Sequence, residues 1–141
     1  MARQFHSNSV AERAARDIDR KRDQERRQML QALQRQADDL AAALVQRLLD
    51  RHIIETTSDR ALKDTFTELF HKLPEMEEFD MQFKTAPLRG LVNDPNVISL
   101  YLTQYIIEDL IDHPKVQDVF GDDSEIYHAV DSVLERIRPR G

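Results

Sequence analysis

Cysteine is absent from the 141-residue chain. No disulfide scaffold, thiolate metal site or cysteine nucleophile can be built from it. Glycine is scarce too, with three residues beside five prolines. That leaves few positions for the tight turns of a sandwich or barrel, or for a glycine-rich phosphate loop. Charged residues make up 33% of the chain, and no apolar run reaches the roughly 18 residues that a membrane-spanning helix needs. Met1 to Val10 contains Arg3, His6 and two serines but no apolar core of a signal peptide, so the cytoplasm is the expected compartment. The length fits one domain, and helix is the expected state.

The net charge of −6 averages two unlike parts. Residues 1–36 carry nine Lys and Arg against five Asp and Glu, a surplus of four positive charges, whereas the remaining residues carry 11 against 21. Phe5, Val10 and Ile18 are the only Leu, Ile, Val or Phe residues within 1–28. Such a stretch cannot bury a core of its own. The expected division is therefore a charged helical arm or flexible tail over 1–28 and a helical bundle domain over 29–141.

Ser9-Val-Ala-Glu12 has the spacing of a capping box, and no Gly or Pro interrupts the chain from there to Glu55, so a long helix is expected. Glu12 with Arg16, Asp17 with Lys21 and Asp23 with Arg27 are opposite charges four apart, each adding about 0.2–0.5 kcal/mol to a solvated helix. Leu30, Leu33, Ala37, Leu40 and Leu44 then step by three and four. This is either the core face of a bundle helix or a two-heptad coiled-coil seam between chains. Leu48, Leu49, Ile53 and Ile54 continue the stripe.

Thr56-Thr-Ser58 reads as a break and a new cap, and Leu62, Phe66, Leu69, Phe70 and Leu73 mark a second helix that Pro74 stops. Phe79, Met81 and Phe83 alternate with Asp80 and Gln82, a strand-like period, so residues 74–94 are expected as a long loop packed on the bundle by Phe79 and Phe83. The acids Glu75, Glu77, Glu78 and Asp80 make one face of that loop negative. Asp94-Pro95 is read as the cap of a central helix, apolar nearly all round, with a polar strip at Gln104, Glu108 and Asp112. A short helical turn through Val116, Val119 and Phe120 is expected to end at Gly121. Asp122-Asp-Ser-Glu125 caps the last helix. The whole reads as all-α: a long N-terminal helix with a projecting arm, then a small bundle of helices near 59–73, 95–113 and 124–138.

No constellation of catalytic groups stands out. Glu68-Leu-Phe-His71 and Glu125-Ile-Tyr-His128 have the Glu-x-x-His spacing of di-metal carboxylate bundles, but Glu125 lies in the first turn of its helix and Glu108 only 17 residues before it, which does not bring four ligating helices to one depth. Asp109 and His113, four apart, lack a nucleophile to complete a site. In the basic arm, Arg13, Arg16, Arg20, Arg26 and Arg27 are interleaved with Asp17, Asp19, Asp23 and Glu25, a pattern that a phosphate-binding face usually avoids.

The expected function is non-catalytic: a helical interaction or assembly protein without a cofactor. Leu30, Leu33, Leu40, Leu44, Tyr101 and Tyr105 are its candidate self-association residues, with a dimer favoured, and the arm arginines its contact to a protein partner. The alternatives are a di-metal protein using Glu68, His71, Glu125 and His128, and a nucleic-acid-associated regulator acting through the arm.

Overall fold

The computed structural model describes residues 2–113 and 116–139, without the side chains of residues 2–9. Helix α1 runs over Ala2–Arg35 and α2 over Ala37–Asp50, followed by strand β1 (Ile54–Thr56), α3 (Asp59–Lys72), α4 (Glu78–Thr85), α5 (Val97–Tyr105), strand β2 (Val116–Val119) and α6 (Asp123–Leu134). A π-helical turn, Ile106–Ile111, extends α5. The all-α fold with a long first helix and a small bundle is thus as expected from the sequence.

The α1 backbone is already helical at Ala2, ahead of the expected capping box at Ser9. At Gln36 (φ −108°, ψ 22°) the axis breaks. The helical hydrogen bonds Gln36 N–H to Ala32 O and Leu40 N–H to Gln36 O, both 2.9 Å, persist across the break. The heptad-like stripe is the core face of the bundle: Met29, Leu33, Ala37, Leu40, Leu44 and Leu48 are all buried within a single chain. Helix α2 packs between α3 and α6, while the body-facing part of α1 packs on α3 and the turn after it.

The stripe does not continue as helix beyond Asp50. His52 adopts φ 55°, and its N–H donates to Leu49 O (3.0 Å) while the Ile53 N–H donates to Leu48 O (2.9 Å). This is the hydrogen-bond pattern of a Schellman motif, in which a left-handed residue reverses the chain and satisfies the last carbonyls. Ile54 then enters β1, which pairs antiparallel with β2 in the register Ile54 to Val119 and Glu55 to Asp118, with a bulge before Thr56. The helical turn expected at 116–120 is therefore a strand. Its β-branched Val116 and Val119 pair across the sheet, and the N–H groups of Phe120 and Gly121 both donate to Ile53 O (2.8 and 3.1 Å). Gly121 is needed by space: a Cβ there would lie 2.7 Å from Ile53 Cγ2.

Residues 74–94 also differ from expectation. Helix α4 lies within them, and a helical period puts Phe79 and Phe83 on one side and Met81 and Thr85 on the other. Met81 and Thr85 are buried, whereas Phe79 and Phe83 are 75% and 76% exposed. The alternation of apolar residues that suggested a strand thus divides between the two faces of a helix. Helices α4 and α6 cover α5, in which Ile98 through Gln104 are all buried. The cap of α5 is Asn96 rather than Asp94: its Oδ1 accepts from the N–H groups of Ile98 (3.0 Å) and Ser99 (3.1 Å), whereas Asp94 sits at φ 50°. Within the Thr56-Thr-Ser58 break the cap of α3 is Ser58, its Oγ accepting from Ala61 N–H at 3.3 Å.

Two stability measurements check this packing. Leu40→Ala should cost about 2–5 kcal/mol in urea unfolding, while Ile18→Ala on the exposed arm should stay within about 0.5 kcal/mol of the parent; similar costs for both would contradict the assignment of core and arm. His52→Gly should raise stability by about 0.5–1 kcal/mol, because a left-handed non-glycine residue is strained, and a lower unfolding midpoint would disprove that strain.

Candidate interaction surfaces

Three features stand out on the surface of this bundle: the arm, a groove beneath it, and a pair of exposed phenylalanines. Residues 10–22 of α1 are exposed without exception. Val10 and Ile18 are 69% and 54% exposed. With Ala14 they stand at i, i+4 and i+8, on one side of the helix, and Met29 follows Ile18 by three turns on that same side. Lys21, Arg22 and Glu25 lie between Ile18 and Met29 on that side, so the arm carries a short apolar ridge of its own, separated from the buried face by charge.

The arginines of the arm do not share one environment. Arg26 reaches the body, donating from Nη1 to Glu78 Oε1 (2.7 Å) and from Nη2 to Glu78 Oε2 (2.6 Å), and it also bonds Asp23. A bidentate guanidinium–carboxylate pair fixes geometry as well as charge. Arg27 pairs with Asp23 at 2.9 Å and Arg16 with Glu12 at 3.6 Å, both within the helix and open to solvent. Asp17 and Lys21 form no ion pair, and Arg13 and Arg20 are exposed with no carboxylate within 4 Å, among the described residues.

Below the arm lies an open groove of about 880 Å³, walled by Arg22, Arg26 and Met29 of α1, Glu78 and Gln82 of α4, and Arg138 near the C-terminus. Its walls carry both signs of charge, so it has no single-sign field to concentrate an ionic ligand. Next to the groove on α4, Phe79 and Phe83 stack with ring centroids 6.4 Å apart and planes 20° from parallel. They line a shallower depression of about 520 Å³ with Ala86 and Arg89. A hydrogen-bonded row separates the two hollows: Arg89 donates to Gln82 Oε1 (2.7 Å), and Gln82 donates to Glu78 Oε1 (2.8 Å), the carboxylate that Arg26 holds.

The other sequence candidates are placed as follows. Leu33, Leu40 and Leu44 lie in the core, Leu30 packs partly buried against it, Tyr101 is buried and Tyr105 half-buried. In the folded chain these residues face inward. Burial pushes the hydroxyl pKa of both tyrosines above the ordinary phenol value, and Asp109 adds to the shift. Glu68 and His71 sit exposed on α3, Glu125 and His128 exposed on α6. Glu68 accepts from Lys72 Nζ at 2.7 Å. That bond and the attraction to Lys72 hold its carboxyl below the ordinary range. Among the described residues no three His, Asp or Glu side chains converge as metal ligands would. The π-helical turn shifts the backbone between Asp109 and His113, and no hydrogen bond joins their side chains among the described residues.

The exposure of the aromatic pair and the apolar ridge of the arm were missed by sequence reasoning. The first was masked by its strand-like alternation; the second was readable as Val10, Ala14 and Ile18 at fourfold spacing. No helix among the described residues is long and apolar enough to cross a membrane. Comparison with protein-family models, curated proteins and solved structures finds no match.

The tyrosines make a pH prediction. A raised hydroxyl pKa means that the folded chain keeps a proton that the unfolded chain releases, so stability is full below about pH 10 and declines as pH rises from there through the folded value. The difference in ultraviolet phenolate absorbance between the parent and the Tyr101→Phe/Tyr105→Phe variant should show midpoints above 10. Midpoints at the free value would contradict the burial.

Proposed function

We propose that this chain is a non-catalytic helical interaction protein that engages a protein partner through the exposed part of α1 and takes part in assembly, including with itself. The observation that carries this reading is the arm: a helix that projects beyond its own core with an exposed apolar ridge at Val10, Ala14 and Ile18 and with unpaired arginines. An isolated helix of that length is marginal in water, since most helical stability comes from packing of an apolar face. The core of this chain uses Leu33, Leu40 and Leu44 internally, so self-association belongs to the surfaces left outside: the arm and the Phe79–Phe83 pair. In the groove Arg26, Glu78, Gln82 and Arg89 are bonded to one another, an arrangement that fixes the arm on α4 and suits a binding role. Neither the Glu-x-x-His pairs nor a single-sign basic face supports the metal or nucleic-acid alternative.

Affinity capture with the full chain tests this reading. The parent and an Arg13→Glu/Arg16→Glu/Arg20→Glu variant, of equal helicity by circular dichroism, are compared at rising salt. The parent should retain a protein that the variant loses, and that retention should fall steeply with salt because exposed charges are screened within about 10 Å at ~0.1 M. Identical capture by both chains would remove the arm from the function.

A further inference from the structure

We infer that the partner of the arm is a second copy of this chain: α1 residues 10–22 of each protomer lie on the Phe79–Phe83 face of α4 of the other, in a reciprocal two-fold dimer. This rests on the reading of α1 as the contact element and adds the occupant and the receiving site.

Geometry is the first support. Val10, Ala14 and Ile18 form one i±4 ridge on the arm, and Phe79 and Phe83 form an i±4 ridge on α4. Ridges of this class interdigitate in the commonest helix–helix packing. Both are apolar, exposed and uncovered by their own chain. Within the chain Arg26 holds the arm to Glu78 over the groove, and residues 10–22 and both phenylalanines are left exposed there.

Charge is the second. Residues 10–22 carry Arg13, Arg16, Arg20, Lys21 and Arg22 against Glu12, Asp17 and Asp19, a surplus of two positive charges. Just before and within the first turn of α4, Glu75, Glu77 and Asp80 are exposed and, among the described residues, in no ion pair, while Arg89, which lines the aromatic hollow, is engaged by Gln82. The attraction between these two surfaces already operates once inside the chain, in the bidentate bond of Arg26 to Glu78. Arginine also suits the faces of Phe79 and Phe83, since a guanidinium over an aromatic ring is attracted by the ring quadrupole.

Closure is the third. Each copy presents both halves of the contact, so a two-fold axis makes two identical contacts and leaves no open end. A specific interface of ~1,200 Å² requires only about 300 Å² from each partner at each contact. The arm offers roughly 20 Å of helix over residues 10–22 at 1.5 Å per residue.

A charge-exchange experiment on the full chain decides this. One variant carries Arg13→Glu, Arg20→Glu and Lys21→Glu; the other carries Glu75→Lys, Glu77→Lys and Asp80→Lys, leaving Glu78 to hold Arg26. All positions are exposed, and circular dichroism checks that both variants keep the fold. By sedimentation between roughly 1 and 100 μM, the parent should be a dimer and each variant alone should dissociate at least 10-fold more readily. An equimolar mixture should recover the dimer, because each arm then meets a surface of opposite sign. Phe83→Ser should weaken the parent dimer by a similar factor. A parent that stays monomeric, variants that dimerise as well as the parent, or a mixture that stays monomeric would each overturn the inference. A monomeric parent whose arm still captures a different protein would overturn the dimer alone and leave the proposed function standing.

Discussion

Burial of one apolar face, from Met29 in α1 to Leu48 in α2, is the constraint on which the other packing depends. Helices α3 and α6 flank α2 on it, and each large side chain it removes from water contributes about 1.5–3 kcal/mol. The same face explains why the chain needs a turn at His52. Once Leu48 has been covered, further helix would carry Ile53 and Ile54 away from the body, whereas the left-handed residue folds them back, both buried, against β2. The two-stranded sheet is a clasp closing the end of α2 rather than a layer of the fold.

Several polar groups inside the bundle are satisfied by near neighbours. The hydroxyl of Thr103 donates to Ser99 O at 2.8 Å. The Ser99 hydroxyl donates to Asp131 Oδ1 at 2.8 Å, and Asp131 also holds Arg138. This joins the most buried helix to the C-terminal segment through one carboxylate. Tyr127 accepts the backbone N–H of Asn96 at 3.1 Å, so the residue that caps α5 is itself positioned by α6.

The fold class, the long first helix and the buried central helix were legible because each rests on a period sustained over many residues. Leu62, Phe66, Leu69 and Phe70 could bury together only as a helix, and they do. Short elements were not legible. A helix of eight residues holds about two turns, too few for a period to show, so Phe79, Met81 and Phe83 read equally well as a strand. The ending of α2 at His52 was hidden because a histidine, rather than a glycine, takes the left-handed position. For the candidate surface, the basic surplus of the arm and the acids at 75–80 were plain in the composition. Their relation to an exposed aromatic pair depends on the helical state of α4, which the sequence pattern disguised.

The break at Gln36 makes α1 a lever. Its fulcrum lies where α1 meets α2, and Arg26 tethers it to Glu78 about 15 Å along at 1.5 Å per residue. Val10 stands roughly 40 Å out on the same scale, so a tilt of ~10° moves it by about 7 Å. The displacement at the tether is less than half as large, and the bidentate bond there resists it with the mechanical advantage against it. Whatever draws on the tip of the arm therefore works on this ion pair at the rim of the groove and on the buried Met29 and Leu33 behind it. Replacement of Glu78 would release that tether without touching a residue of the core.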